Sequence, residues 1–275
     1  GVARVVVAMT DPHTRNRGAG LGILRAAGIE VLCPLLESSA LALNPGHARR
    51  YETGLPYVRV KLAMSLDGKT ALATGESKWI TGAEARRDVQ RLRARSGAIV
   101  TGVQTIVDDD PALNVRADEL DVEHNEISAS LLRPVVVLDS ALRIPAGARV
   151  LENPATIVAC LEQTGNPGFE EERILRLPAG ADGRVDPGAL LRELAGRDVN
   201  EVLFECGATL AASVIRGGYV DEIVIYAAPV MLGADARSLL NIAKIDTMRD
   251  RIEFQINEVR RVGKDMRITC IPQRH

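Results

Sequence analysis

Along residues 57–65 apolar and polar positions alternate. Val58, Val60, Leu62 and Met64 fall on one side, and Tyr57, Arg59, Lys61, Ala63 and Ser65 on the other. A period of two predicts a strand. A lysine among small residues on the second side predicts a face that borders polar space. Asp67-Gly68 then predicts a turn, because glycine tolerates the positive φ that turns often need. From Thr81 the period changes. Thr81 and Glu84 have the form of a capping box, and Ala85, Val89, Leu92 and Ser96 recur at helical spacing, which predicts a helix over 82–96.

Upstream, residues 3–9 predict a buried strand, residues 20–27 a helix and residues 27–31 the approach to a second strand. Residues 37–50 predict one short helix ending near Gly46, with a linker over 52–56. Gly18-Ala19-Gly20-Leu21-Gly22 lacks the spacing of a dinucleotide fingerprint and reads as a flexible helix entry. Downstream, strands are expected at 98–103, 134–139, 155–161, 201–206 and 222–230, with helices near 187–196 and 208–216. A terminal hairpin pairs 252–261 with 265–271 around Gly263-Lys264. The alternation predicts an α/β fold: a largely parallel sheet with helices on both faces, to which the hairpin adds antiparallel strands.

Composition narrows the classes. An apolar share of 46%, a charged share of 25% and a formal charge of −2 describe a soluble globular chain, with no nucleic-acid partner or membrane surface indicated. Aromatics at 3% leave little for base stacking. No apolar run is long enough to span a bilayer and no signal peptide is seen, so the cytoplasm is expected. Cys33, Cys160, Cys206 and Cys270 are widely spaced in apolar runs and read as buried free thiols.

Four places carry candidate chemistry. On the helix of 82–96, Arg87, Arg91 and Arg95 point away from the apolar stripe, whereas Arg86 and Arg93 lie at one edge of it. Spacing leaves Arg93 either an anion ligand in a cleft or an edge salt bridge. Asp108-Asp109-Asp110-Pro111 reads as a loop that holds hydroxyls or an amide at the end of strand 98–103, not as a metal site, since no ligand repeat follows. Arg116 brings a second guanidinium to the same mouth. Glu205-Cys206-Gly207 is a strand end before a helix start, where first-turn N–H groups suit a phosphate and a lip carboxylate suits a ligand. Residues 117–126 carry five carboxylates and read as a solvated excursion. His124-Asn125-Glu126 matches half of a zinc-deaminase signature by coincidence, as no P-C-x-x-C exists. The four histidines, His13, His47, His124 and His275, lie far from every motif.

The stretches KLAMSLDGKTA, GESKWIT, ARRDVQRLRARS and DDDPALNVR, in this order, resemble the reductase half of the bifunctional pyrimidine deaminase/reductase family of riboflavin biosynthesis. The resemblance covers nearly the whole chain. It implies a dihydrofolate-reductase-like fold over 51–275, preceded over 1–50 by the end of an α/β deaminase domain (GVARVVVAM, AGIEV, ALNPG). That domain's zinc ligands would lie upstream of Gly1, so zinc and deamination are expected only where that part is present.

The resemblance further implies NADPH as cofactor. The phosphorylated substrate would be 5-amino-6-(5-phosphoribosylamino)uracil, whose ribosyl group is reduced to a ribityl chain. Substrate positions correspond to Ser77, Arg93, Leu113, Arg116 and Glu205. Cofactor positions correspond to Ala63, Trp79, Thr105, Asp109, Ser140, Gly207, Ala208, Thr209, Leu210, Ala211, Ala212 and Ser213. Lys61 corresponds to an active-site lysine, and Lys61 and Glu205 are the candidate proton-transfer groups. Family habit, together with the apolar hairpin edge, implies a homodimer. Two alternatives remain at this point: a reductase of the same fold acting on the undeaminated pyrimidine, and a non-catalytic binding module.

Overall fold

The computed structural model describes residues 1–165 and 168–273. They form two compact units, one of Gly1–Tyr57 with Leu191–Asn200, the other of Val58–Leu190 with the chain from Glu201 onward.

In the first unit, strands β1 (Arg4–Val6) and β2 (Glu30–Leu32) pair in parallel around helix α1 (Ala19–Ala26). The expected buried strand over 3–9 is therefore shorter and sits largely in the open, because the two-stranded sheet has little to cover it. Gly18 enters α1 with φ 76°, a backbone that suits glycine. The single helix expected over 37–50 is two: α2 (Glu37–Leu43) and α3 (Pro45–Thr53). Pro45 divides them, since it lacks the N–H that a continuing helix requires and suits a first turn instead. Gly46 lies inside α3, and Gly54, at φ 73°, ends it. Arg50 ties residues 191–200 to this unit through Ala195 O and Asn200 Oδ1, both at 3.0 Å, and through Asp198.

The second unit holds a nine-stranded sheet. Its strands are β3 (Tyr57–Ser65), β5 (Ala98–Gly102), β6 (Val135–Leu138), β7 (Ile157–Leu161), β8 (Ile174–Leu177), β9 (Glu201–Glu205), β10 (Glu222–Ala228), β12 (Phe254–Val262) and β13 (Asp265–Pro272), in the order β12-β13-β10-β3-β9-β5-β6-β7-β8. The β10–β3, β9–β5 and β5-to-β8 pairings are parallel, and β13 pairs antiparallel with both β10 and β12. This is the mixed sheet expected of a dihydrofolate-reductase-like fold. A small ladder of β4 (Lys69–Ala71) and β11 (Arg237–Ser238) stands apart from it. The helices are α4 (Ala83–Arg95), α5 (Val103–Asp109), α6 (Asn125–Ser130), α7 (Pro187–Gly196), which runs from one unit into the other, and α8 (Ala208–Arg216).

Register explains which side chains meet. Arg59, Lys61 and Ala63 pair with Glu222, Val224 and Tyr226 of β10, so they share one face of the sheet. Ala85, Val89 and Leu92 of α4 cover that face, against Leu203, Val224, Tyr226 and Val262. Arg59 is not in polar space, as the alternation suggested: it is 0% exposed and satisfied by Glu201 at 3.1 Å and Glu222 at 2.9 Å. Lys61, two residues on, borders a cleft.

Three further expectations need correction. The capping box does not form: Gly82 is the N-cap of α4, and its N–H is donated to Asp265 Oδ2 of the hairpin at 2.7 Å. Residues 103–109 are helix, so Asp108 and Asp109 stand on α5 and not in a loop. The β-branched Val103, Thr105, Ile106 and Val107 favour a strand, but burial of Val103 and Ile106, three residues apart, decides for helix. The acidic excursion is only partly solvated, because Glu119 turns inward to Gln90 and Arg116.

Candidate active site

Three ionic side chains meet at the carboxyl end of the sheet. Glu205 closes β9 on the face shared with Lys61, and Arg93 comes down from α4 onto both. Arg93 donates from Nε to Glu205 Oε1 at 2.5 Å and from Nη2 to Oε2 at 3.0 Å, and its Nη1 donates to Asn114 O at 3.0 Å. It is a salt bridge, as one reading allowed, but a buried one inside the cleft. Burial alone would raise the Glu205 carboxyl; Arg93, by charge and hydrogen bonds, and Lys61 outweigh that and hold it below its ordinary range. The Lys61 ammonium is pushed down, chiefly by burial and further by Arg93, against the opposing pull of Glu205 and Asp109. The site thus holds a firmly ionised carboxylate beside a lysine made more acidic. Next to them the Cys206 thiol is pushed up to about 12 by burial and by Glu205, which leaves it no part in proton transfer near neutrality.

These groups open into a cleft of about 1450 Å³. One wall is the segment after α5, where Leu113 takes a left-handed backbone at φ 52° and buries its side chain in the core while Arg116 reaches the cleft. Ser77 and Trp79 line the entrance, and the Lys78–Trp79 peptide is cis. Trp79 is 70% exposed, with the Arg86 guanidinium 4.5 Å from its ring centre. Lys78 Nζ reaches Asp109 O at 3.2 Å. Thr105 and Asp109 stand one helical turn apart on α5, and Ser140, after β6, accepts the Val185 N–H at 3.1 Å on its Oγ.

The far wall is the start of α8. No side chain caps its first turn, and Gly207, Ala208, Thr209, Leu210 and Ser213 line the cleft. A Cβ at Gly207 would meet only open space, so the backbone at the start of the helix is open to the cleft there. That arrangement suits the phosphates of a dinucleotide. Ala211 and Ala212 do not line the cleft; they turn into the core. The remaining expected positions, Ala63 included, all border the same space.

Sequence reasoning missed Gln90, Asn114 and Glu119. Gln90 precedes Arg93 by three residues on one helix face, a signal that was available. It also missed Arg237 and Asn241, which arrive on an aperiodic return segment. Asn241 bonds Ala208 O at 3.2 Å through its N–H and Thr209 Oγ1 at 2.9 Å through its side chain. His13, His47 and His124 do not border the cleft, and His275 lies outside the described residues. Among the described residues no group of three His, Cys, Asp or Glu side chains is arranged to hold a metal, and no helix is long and apolar enough to cross a membrane.

The pattern of the RibD C-terminal domain family matches residues 56–268. The riboflavin biosynthesis protein RibD of Escherichia coli is 41% identical over 270 residues, covering 97% of this chain and 73% of that protein. A solved structure of Acinetobacter baumannii RibD superposes with a TM-score of 0.84 at 37% identity, over 99% of this chain and 74% of that one. The riboflavin biosynthesis reductase Rib7 of Saccharomyces cerevisiae, 16% identical, shares the fold with a TM-score of 0.60 over 80% of this chain and 91% of its own. With most of its length matched by the family pattern and by relatives of this identity, the chain belongs to the RibD C-terminal domain family.

Proposed function

We propose that this chain is an NADPH-dependent oxidoreductase that converts the ribosyl group of 5-amino-6-(5-phosphoribosylamino)uracil to a ribityl chain. Family membership supports a reductase domain of riboflavin biosynthesis. The observation that carries the finer reading is the pairing, in one cleft, of an ionised Glu205 held by Arg93 with a lysine of lowered pKa. NADPH, when bound, supplies the hydride; the uncapped start of α8 would hold its phosphates, and Ala63 and Trp79 would belong to the same binding site.

Opening of the ribosylamine ring moves a proton from nitrogen to the ring oxygen and gives an imine at C1. Addition of a hydride at C1 then leaves the nitrogen in need of one proton. Glu205, held ionised, has none to give near neutrality. Lys61 does, and burial makes it a stronger acid than a lysine in water. Glu205 in turn stabilises positive charge as the imine is protonated. Arg93 keeps Glu205 aimed, and Arg116 remains as the guanidinium for the substrate phosphate.

Homodimerisation belongs to the same proposal. Ile256, Val259 and Met266 of the terminal hairpin share the sheet face opposite α4 and are exposed. The test of the reaction is NADPH oxidation that depends on the deaminated substrate; preference for the undeaminated pyrimidine, or no oxidation, would overturn it.

A further inference from the structure

Arg116 sits in a segment with no regular structure, between residues of left-handed backbone (Asp110, φ 42°, and Leu113, φ 52°) and a single 3-10 turn at 117–119. No ladder holds it. Its carbonyl accepts the Glu119 N–H at 3.3 Å, and its N–H is held by one side chain of α4. Gln90, 1% exposed, accepts the Arg116 N–H on Oε1 at 3.1 Å and donates from Nε2 to Glu119 Oε2 at 3.3 Å. The same Oε2 accepts from Arg116 Nη2 at 2.8 Å. The three residues close a ring in which one buried amide fixes both the main chain of Arg116 and the carboxylate that steers its guanidinium. Arg93, one turn along α4, anchors the same segment at Asn114 O. A buried amide among Val89 and Leu92 is costly unless both its ends are satisfied, and here both ends are spent on the Arg116 segment.

We propose that Gln90 is a positioning residue for the phosphate grip of Arg116, an inference that rests on the reading of Arg116 given above. Its amide is spent on the Arg116 segment, and through that segment it sets where the guanidinium can go. Gln90→Leu leaves the Arg116 N–H without its acceptor and Glu119 with Arg116 alone, and so loosens the segment.

The test compares wild type, Gln90→Leu, Arg116→Ala and the double variant on the phosphorylated substrate and on its dephosphorylated form. Gln90→Leu is expected to raise KM for the phosphorylated substrate about tenfold, in line with one misplaced charge-assisted bond. The kcat and the KM for NADPH should hold within about twofold, turnover of the dephosphorylated form should not change, and the double variant should be no worse than Arg116→Ala. Equal losses on both substrates, a fall in kcat, or losses that add to those of Arg116→Ala would overturn the proposal. Should Gln90→Leu fail to fold, Gln90→Asn, which keeps the amide but retracts it, carries the same comparison. If the wild type oxidises no NADPH, the functional reading fails by itself. Calorimetric titration with ribose 5-phosphate then decides on Gln90, by whether Gln90→Leu weakens binding in the wild-type background and not in Arg116→Ala.

Discussion

Arg93 and Glu205, from a helix and a strand far apart in the chain, are joined by two parallel hydrogen bonds of 2.5 and 3.0 Å within the cleft. The geometry is bidentate, which lysine cannot reproduce. It keeps the Glu205 carboxylate ionised and aimed.

Removing Arg93 leaves a buried carboxylate alone. Arg93→Ala should cost about 3–5 kcal/mol of stability, the usual penalty for breaking a buried pair, and should lower kcat as well as kcat/KM. Arg93→Lys should recover part of the stability. Denaturant melts beside steady-state kinetics check this; an Arg93→Ala protein with normal stability and only a raised KM would return Arg93 to the phosphate.

Glu205 gives the pair a signature in acid. Its folded pKa lies below the unfolded value of about 4.3. Its contribution is therefore complete above that value and is lost as pH falls through the folded pKa. Glu205→Gln should lose stability near neutrality and show a flatter acid limb than wild type in chemical melts. Parallel acid limbs in the two proteins would count against the pair.

Lys61 has the opposite consequence. Unfolded, it keeps its proton to about pH 10.4; folded, it gives it up earlier. Between those two values the unfolded chain binds more protons, so stability rises with pH. Lys61→Met should melt higher than wild type near neutrality, lack that alkaline rise and lose turnover. In the wild type, kcat should fall on the alkaline side at a pH below lysine's ordinary value. A Lys61→Met enzyme with near-normal kcat would remove the proton donor.

Much of this site was legible in the sequence. The period-2 run placed Lys61 on its own face of the strand, and helical spacing set Arg93 apart from Arg87, Arg91 and Arg95. Glu205 stood at a strand end before a glycine. What spacing could not reveal was pairing across the chain. That Arg93 meets Glu205, and that Asp265 of the hairpin accepts the Gly82 N–H at the start of α4, depends on contacts between segments with no periodic relation. Helix α5 was hidden by β-branched residues whose propensity tertiary burial overrides. Strand β8 is four residues long and carries a half-buried arginine, too short for a period to register.

The start of α8 separates cofactor binding from folding. Because a side chain at Gly207 would enter open space and its φ of −72° suits any residue, Gly207→Leu should fold normally. It should weaken NADPH about tenfold or more, that is by at least about 1.4 kcal/mol. Calorimetric titration with NADPH and a thermal melt check both halves. Unchanged affinity would move the phosphates away from α8.

Val259→Asp on the exposed hairpin face should convert a dimer to monomers in light scattering at micromolar concentration, with the melt of the sheet little changed. A wild-type chain that is already monomeric would contradict the proposed interface.

Hydride is expected to reach C1 of the ribosyl group with Lys61 as the proton source. The most direct measurement is single-turnover reaction of saturating enzyme with NADPH deuterated at C4 and the deaminated phosphoribosyl substrate, analysed by mass spectrometry and NMR. One deuterium is expected at C1 of the ribityl product, formed at a rate that collapses in Lys61→Met. Deuterium elsewhere in the product, or an unchanged rate without Lys61, would contradict it.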